Sequence, residues 1–417
     1  MRRFTPCVFM RKVPLLLIVC LILAFSSLVY PEIDIPTAGG TPRQETEPAR
    51  PMTGAESDRG EHEFLPRPIL FWKFKSKGPF VAAPGLAREK ILVGDKFGIL
   101  NCLSAKDGRK QWSRRFSGYF LSSPVVDGES VFIALSRREV TTYRESGGGI
   151  FGSSPRVTSL VEEDGEVRCL DLHRGRRRWK RNFSRPVHSS PVPAGDRLVV
   201  GCLDYKVYCL DRDTGSIIWS YKTGGPVDAS PVICDGRVLA GSRDGILYCL
   251  NLKGGRQYWQ FNLGLRVTAA PVCEAGRVYV GADNKEVYCI DVQTGKPVWK
   301  AGTDGSLAAS PLIYRGSIYP VTREGKIYCL RADNGKERWS HRLSRRFYSS
   351  PRPFAGSIMI SSATGVIYCL DIEDGAVLWE YNLFSGAPAW LSLSGNRIFA
   401  ASSDRKVYCL GERTGRR

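Results

Sequence analysis

The chain has 417 residues, 43% hydrophobic and 24% charged, which excludes wholesale disorder and leaves room for more than one domain. Its 43 glycines and 17 tyrosines favour turns and strands over helices. A formal net charge of +19 suits polyanions, acidic surfaces or acidic protein partners, without naming any of them.

That charge is unevenly placed. Arg2, Arg3, Arg11 and Lys12 precede the uncharged apolar run Val13 to Tyr30, so residues 1–30 read as a signal anchor or a cleavable signal peptide. Positive charge ahead of the run places everything after it outside the cytoplasm. The expected location is an inner-membrane anchor with a periplasmic body, or export after signal cleavage. Ala24 and Ser26 are spaced like a cleavage site, whereas Cys20 follows bulky Val19 where lipidation wants a small residue. Residues 31–66 hold eight acids against three arginines, with frequent Pro, Thr and Gly, and read as a disordered acidic linker.

From there to the end an internal repeat governs the chain. Cys169, Cys209, Cys249, Cys289, Cys329, Cys369 and Cys409 recur every 40 residues, mostly within Tyr-Cys-Leu, and Cys102 starts the series 67 residues before Cys169. Ten residues after a Cys stands a Trp: Trp112, Trp179, Trp219, Trp259, Trp299, Trp339 and Trp379. A Gly precedes each Trp by four residues, and Pro124, Pro191, Pro231, Pro271, Pro311 and Pro351 follow by twelve. One unit divides into four short strands, here ASPVIC, GRVLAGS, GILYCLNL and the strand around YWQF, with Asp-Gly and Thr-Gly turns. Four strands per unit of about 40 residues make a propeller blade.

The predicted fold is therefore all-β: an eight-bladed β-propeller over residues 67–417. The last repeat ends at Arg417 before its Trp, and Trp72 in Leu70-Phe-Trp-Lys-Phe74 is an orphan with Pro84 in register. The N-terminal strand is thus expected to complete the C-terminal blade and close the ring. The extra residues before Cys169 fall within about 136–163, between the second and third strands of the first complete blade. Their Gly, Ser and mixed charge predict a long mobile loop.

These registers resemble the PQQ-like eight-bladed propeller family, whose repeat ends in a strand reading roughly Tyr-Ala-Leu-Asp, then a Thr-Gly turn and a docking Trp. Val207-Tyr208-Cys209-Leu210-Asp211 through Thr214-Gly215 to Trp219 matches it, with Cys in the Ala position. The match spans residues 70–417. The resemblance implies either a quinoprotein dehydrogenase or a non-enzymatic scaffold of the BamB type, which serves outer-membrane β-barrel assembly. The dehydrogenases use a vicinal Cys-Cys pair, calcium-ligating Glu, Asn and Asp, and a catalytic Asp. This chain has no adjacent cysteines and no acidic cluster recurring at one blade end.

The expectation is a non-enzymatic exported scaffold for protein–protein interaction in the bacterial cell envelope, with outer-membrane protein assembly as the nearest analogy. The alternatives are a PQQ-dependent dehydrogenase and a propeller binding an acidic polymer. No catalytic residue, metal or cofactor is expected, PQQ entering only under the dehydrogenase reading, and export argues against nucleic acid. The periodic cysteines read as small buried apolar residues. Cys202, Cys234 and Cys273 stand outside the register. Trp72, Trp112, Trp179, Trp219, Trp259, Trp299, Trp339 and Trp379 read as blade-docking residues. Registers that vary between repeats point to one end of the ring, where the innermost strands begin. Candidate contacts there for a partner or anion are His188, Arg266, Arg342, Arg345, Arg346, Tyr348 and Trp390. Arg114-Arg115, Arg137-Arg138, Lys180-Arg181, Arg185 and Arg405-Lys406 are expected on the same face.

Overall fold

The computed structural model describes residues 67–145, 156–307, 309–343 and 345–411, with 139–145 and 156–162 as backbone alone. The expectations for residues 1–66 lie outside these. Among the described residues every helix or strand assigned is a strand, and the strands form eight antiparallel sheets of four. In blade 4 the strands are Val232–Cys234, Arg237–Gly241, Ile246–Asn251 and Gln257–Asn262, from the ring axis outward.

The middle strands are apolar on both faces because each blade is covered by two others. Val238, Ala240, Tyr248 and Leu250 pack with Val199, Val207 and Cys209 of blade 3. Leu239, Leu247 and Cys249 pack with Val278, Val280 and Ile290 of blade 5. These strands therefore read as continuous apolar runs, whereas the outermost strand, wet on one side, alternates.

The tryptophans join blade to blade. Trp179 Nε1–H donates to the Arg212 carbonyl at 2.8 Å, and Trp219 donates to Leu252 at 2.9 Å. The same bond recurs from Trp72, Trp112, Trp259, Trp299 and Trp339, while the register partner of Trp379 is position 412, outside the described residues. The ring face lies on the turn glycine of the next blade. A Cβ built on Gly215 would stand 2.4 Å from the Trp179 ring, and the φ of +70° there favours glycine independently. Gly and Trp thus recur together because each shapes the other's site.

The Ser-Ser-Pro motif stitches the ring near its axis. Ser189 Oγ bonds both the carbonyl and the N–H of Gly201 in the second strand of its own blade. The N–H of Ser123 donates to Ser190 Oγ at 3.1 Å, and that of Ser190 to Ser230 Oγ at 2.9 Å, each bond crossing to the next blade.

Closure occurs as the orphan Trp72 requires. Ile69–Lys75 is the outermost strand of blade 8, pairing Trp72 with Cys409 just as Cys209 pairs with Trp219 in blade 3. Asp95 fixes the segment that follows, accepting hydrogen bonds from Ser76 Oγ (2.6 Å) and from the N–H groups of Gly78, Phe97 and Ile99.

Two sequence expectations change. The insertion belongs to the second blade, since Gly85–Ala87 to Lys110–Arg115 already form a complete one. It is a β-ribbon rather than a loop: Ser130–Glu145 pairs with Arg156–Asp171 as far as Glu145 opposite Arg156. Backbone pairing of an already aligned hairpin simply continues past the blade. Cys234 and Cys273, to which the repeat register gives no role, form a disulfide with 6.2 Å between Cα atoms. Stacked sheets stand roughly 10 Å apart, too far for a disulfide between periodic cysteines of the third strands, but Cys234 and Cys273 lie in innermost strands, where blades converge on the axis.

Candidate functional site

A four-stranded antiparallel blade sends three things to one end: the start of its first strand, the loop between second and third strands, and the end of its fourth. This end forms a rim around the channel mouth. It carries Arg266, Arg342, Arg345 and Arg346, all exposed. Arg266 lies 3.7 Å from Asp283, and Arg342 pairs with Asp304, so both are partly neutralised. Arg345 and Arg346 pair with no described carboxylate, and Arg115, Arg185 and Arg405 are likewise exposed at this end of the ring.

Some of the other basic residues expected there are tied to backbone carbonyls or to carboxylates. Arg114 donates to the carbonyls of Arg174 (2.7 Å) and Gly175, and Arg181 to that of Gly215 (2.8 Å). Both stand two residues after a docking tryptophan and latch onto the turn between third and fourth strands of the next blade, which is at the opposite end. Arg137 pairs with Asp164 at 2.8 Å, and Lys406 with Asp404 at 3.0 Å.

His188 is only 9% exposed. Burial lowers its pKa to about 4, with Asp228 opposing and Arg243 adding to the shift, so the imidazole is neutral near pH 7. His188 and Asp228 hold the same position in successive blades, and Arg243 binds Asp228 Oδ2 through Nε (2.8 Å) and Nη2 (2.6 Å). This cluster sits beneath the rim rather than on it. Tyr348 is half-buried on the approach to the innermost strand of blade 7. Trp390 is half-buried in the innermost strand of blade 8, Ala389–Ser394, at the position of the bridging serines Ser190 and Ser230. The structure thus gathers the arginines at the surface and separates His188 and Trp390 from them by burial.

Sequence reasoning passed over the apolar half of the rim. Phe97 and Tyr205 protrude from loops between second and third strands, and Leu265 and Phe384 from links between blades. Phe384 is 90% exposed at a φ of +51°, a conformation uncommon for a bulky residue. The signal was available: Phe384 and Leu265 stand in polar turns where the pattern asks for no apolar residue.

The periodic cysteines are all buried. Burial pushes the thiols of Cys102, Cys249, Cys289 and Cys409 up to about 11, so they stay protonated and unreactive. Among the described residues no three His, Cys, Asp or Glu side chains gather to hold a metal ion.

The family described as outer membrane protein assembly factor BamB matches residues 70–149, 163–264, 243–346 and 323–417. The chain belongs to that family. Among solved structures, BamB from Moraxella catarrhalis superposes with a TM-score of 0.68 at 16% identity, over 83% of this chain and 100% of that one. The computationally designed Ika8 protein gives 0.67 at 13% identity, over 81% and 98%. The quinohemoprotein alcohol dehydrogenase ADHIIG from Pseudomonas putida HK5 gives 0.66 at 12%, over 84% and 77%. These likenesses establish the propeller fold that BamB-family members share with dehydrogenases. No curated protein sequence is matched significantly.

Proposed function

We propose that this BamB-family chain is a non-enzymatic scaffold in the cell envelope that docks a protein partner on its rim, in the service of outer-membrane protein assembly. The observation that carries the reading is the rim itself. Exposed Phe97, Tyr205, Leu265 and Phe384 stand on the same end as Arg345 and Arg346, which have no ion-pair partners. Aromatic and arginine anchors on one surface are the composition of a protein interface core. The Cys234–Cys273 disulfide supports an extracytoplasmic location, because such bonds persist in oxidising compartments. The basic leader residues before Val13–Tyr30 support the same location.

The test is capture of partners from native membranes by the full chain. The variant Arg345→Gln, Arg346→Gln, Phe384→Ala is compared with a control, Arg88→Gln and Arg315→Gln, altered in the hairpins at the opposite end. Selective loss in the rim variant is expected, and equal loss in both would reduce the effect to bulk charge. Supplying quinone and calcium should yield no dye-linked oxidation of alcohols or sugars; turnover would favour the dehydrogenase reading instead.

A further inference from the structure

The ribbon of blade 2 is the longest departure from the repeat. Ser130–Glu145 and Arg156–Asp171 stay paired, without a register shift, as far as Glu145 opposite Arg156. On the inner side the last neighbour is Tyr119, bridged to Ser136. On the outer side Arg177–Phe183 ends with Phe183 opposite Gly165. Beyond those points each arm has a bare edge among the described residues. The sheet order runs from the axis outward, so the bare edge of 156–164 faces away from the channel.

One pair of bonds fixes which backbone groups that edge presents. Ser136 and Tyr119 exchange N–H···O bonds of 3.1 and 2.8 Å on the side away from 156–171. Gly165, which stands opposite Ser136, therefore turns its own N–H and C=O outward, and with period two so do Glu163, Val161, Ser159 and Val157. Proteins blunt such edges with proline, lysine or a bulge. The stretch 156–163 has none of the three.

The order of residues along the edge says what covers it. An edge paired antiparallel with a copy of itself has its two-fold axis between like residues. Centred on Ser159, such a pairing sets Val157 opposite Val161, Thr158 opposite Leu160 and Arg156 opposite Glu162 of the second copy. No like charges meet. Within a single ribbon, by contrast, Glu162 stands opposite Glu139, a like-charge pair that disfavours the ribbon alone. The second copy brings an arginine to the other side of Glu162. The edge of 137–145 offers no such match: centred on Thr141 it sets Arg138 against Arg144, and centred on Thr142 it sets Glu139 against Glu145. We propose that the outer edge of the ribbon is a dimerisation surface, two copies of this chain joining through 156–162, antiparallel about Ser159, in one four-stranded sheet.

Sedimentation equilibrium of the full chain in density-matched detergent, over a concentration series to ~100 μM, should show a reversible monomer–dimer equilibrium. Glu162→Arg favours the single ribbon, since an arginine then stands opposite Glu139, but it sets arginine against Arg156 of the second copy. It should therefore raise the dissociation constant about tenfold or more. Arg156→Glu should do the same, yet an equimolar mixture of the two variants should restore the dimer, because opposite charges then meet at both ends. Ser159→Pro removes an N–H that faces away from the ribbon's own ladder, so it should keep the ribbon and abolish the dimer. A monomer throughout the series, unchanged association in Glu162→Arg, or a mixture no tighter than its parts overturns the proposal. The rim variant Arg345→Gln, Arg346→Gln, Phe384→Ala should still dimerise, which separates this surface from partner docking; loss of the dimer in that variant alone would place the contact on the rim and overturn the proposal too.

Discussion

Each docking tryptophan asks two things of the next blade, a carbonyl and a bare glycine, and the two can be separated by substitution. Gly255 and Gly276 share a φ of +71°, but a Cβ on Gly255 would meet the Trp219 ring at 2.6 Å, whereas one on Gly276 meets nothing within 4 Å. Gly276→Ala should therefore lose about 1–2 kcal/mol from backbone strain alone, and Gly255→Ala distinctly more, as read from urea midpoints. His188 gives a pH dependence with a definite sign. Its folded pKa of about 4 lies below the ordinary value of 6.5, so its contribution is present above 6.5 and is lost as pH falls toward 4. The full loss is on the order of 3 kcal/mol, and His188→Gln should flatten the stability profile across that window. The tryptophan role was legible in the sequence because eight copies repeat it. The burial of His188 was not, because its register varies and only packing reveals which variant faces inward.

Blade 2 shows an element compensating for a lost loop. In blades 3, 4 and 8 the tyrosine of Tyr-Cys-Leu donates its hydroxyl to Asp204, Asp244 or Asp404 in the loop between second and third strands. The ribbon replaces that loop in blade 2, and Arg168 takes the tyrosine position. There it pairs at 2.6 Å with fully buried Glu166 and lies over the Phe116 ring. Glu166→Ala should be strongly destabilising, by about 3–5 kcal/mol, because it strands a buried cation; chemical denaturation measures this. The disulfide acts at the same scale by tying two innermost strands with a separation of 39 residues. Replacing Cys234 and Cys273 together by alanine should cost about 4 kcal/mol on a loop-closure account. Non-reducing mass spectrometry should find this pair joined and the periodic cysteines free. Neither cysteine is in the repeat register, so no periodicity could reveal their partnership.

For the whole molecule, closure makes the first and last strands of the described body neighbours. Deleting residues 69–75 removes the partner of Lys406–Gly411, along with the Trp72 bond to Ala105 of blade 1. Hydrogen exchange should then rise both in Arg397–Gly411 and across blade 1. Unchanged protection in those segments would contradict closure by this strand. The ring also divides charge between its two ends. Arg114 and Arg181, adjacent in sequence to basic partners Arg115 and Lys180, are turned away from the rim to latch the next blade. A rim defined by sequence alone is therefore more basic than the folded one, where Asp283 and Asp304 also neutralise Arg266 and Arg342.

The sequence by itself determined the blade, the number of blades and the closing strand. Each of these is written as a register repeated eight times, and the local chemistry of strand, turn glycine and tryptophan is the same in every copy. What it could not determine is anything that occurs once. The Cys234–Cys273 pair, the ribbon of blade 2 and the burial of His188 all depend on which non-repeating side chains a closed ring brings together. Repetition fixes the frame because it averages over copies. Position on the ring, whether toward the axis, the rim or the outer edge, then decides what each exception meets, and that distance exists only once the first strand has paired with the last.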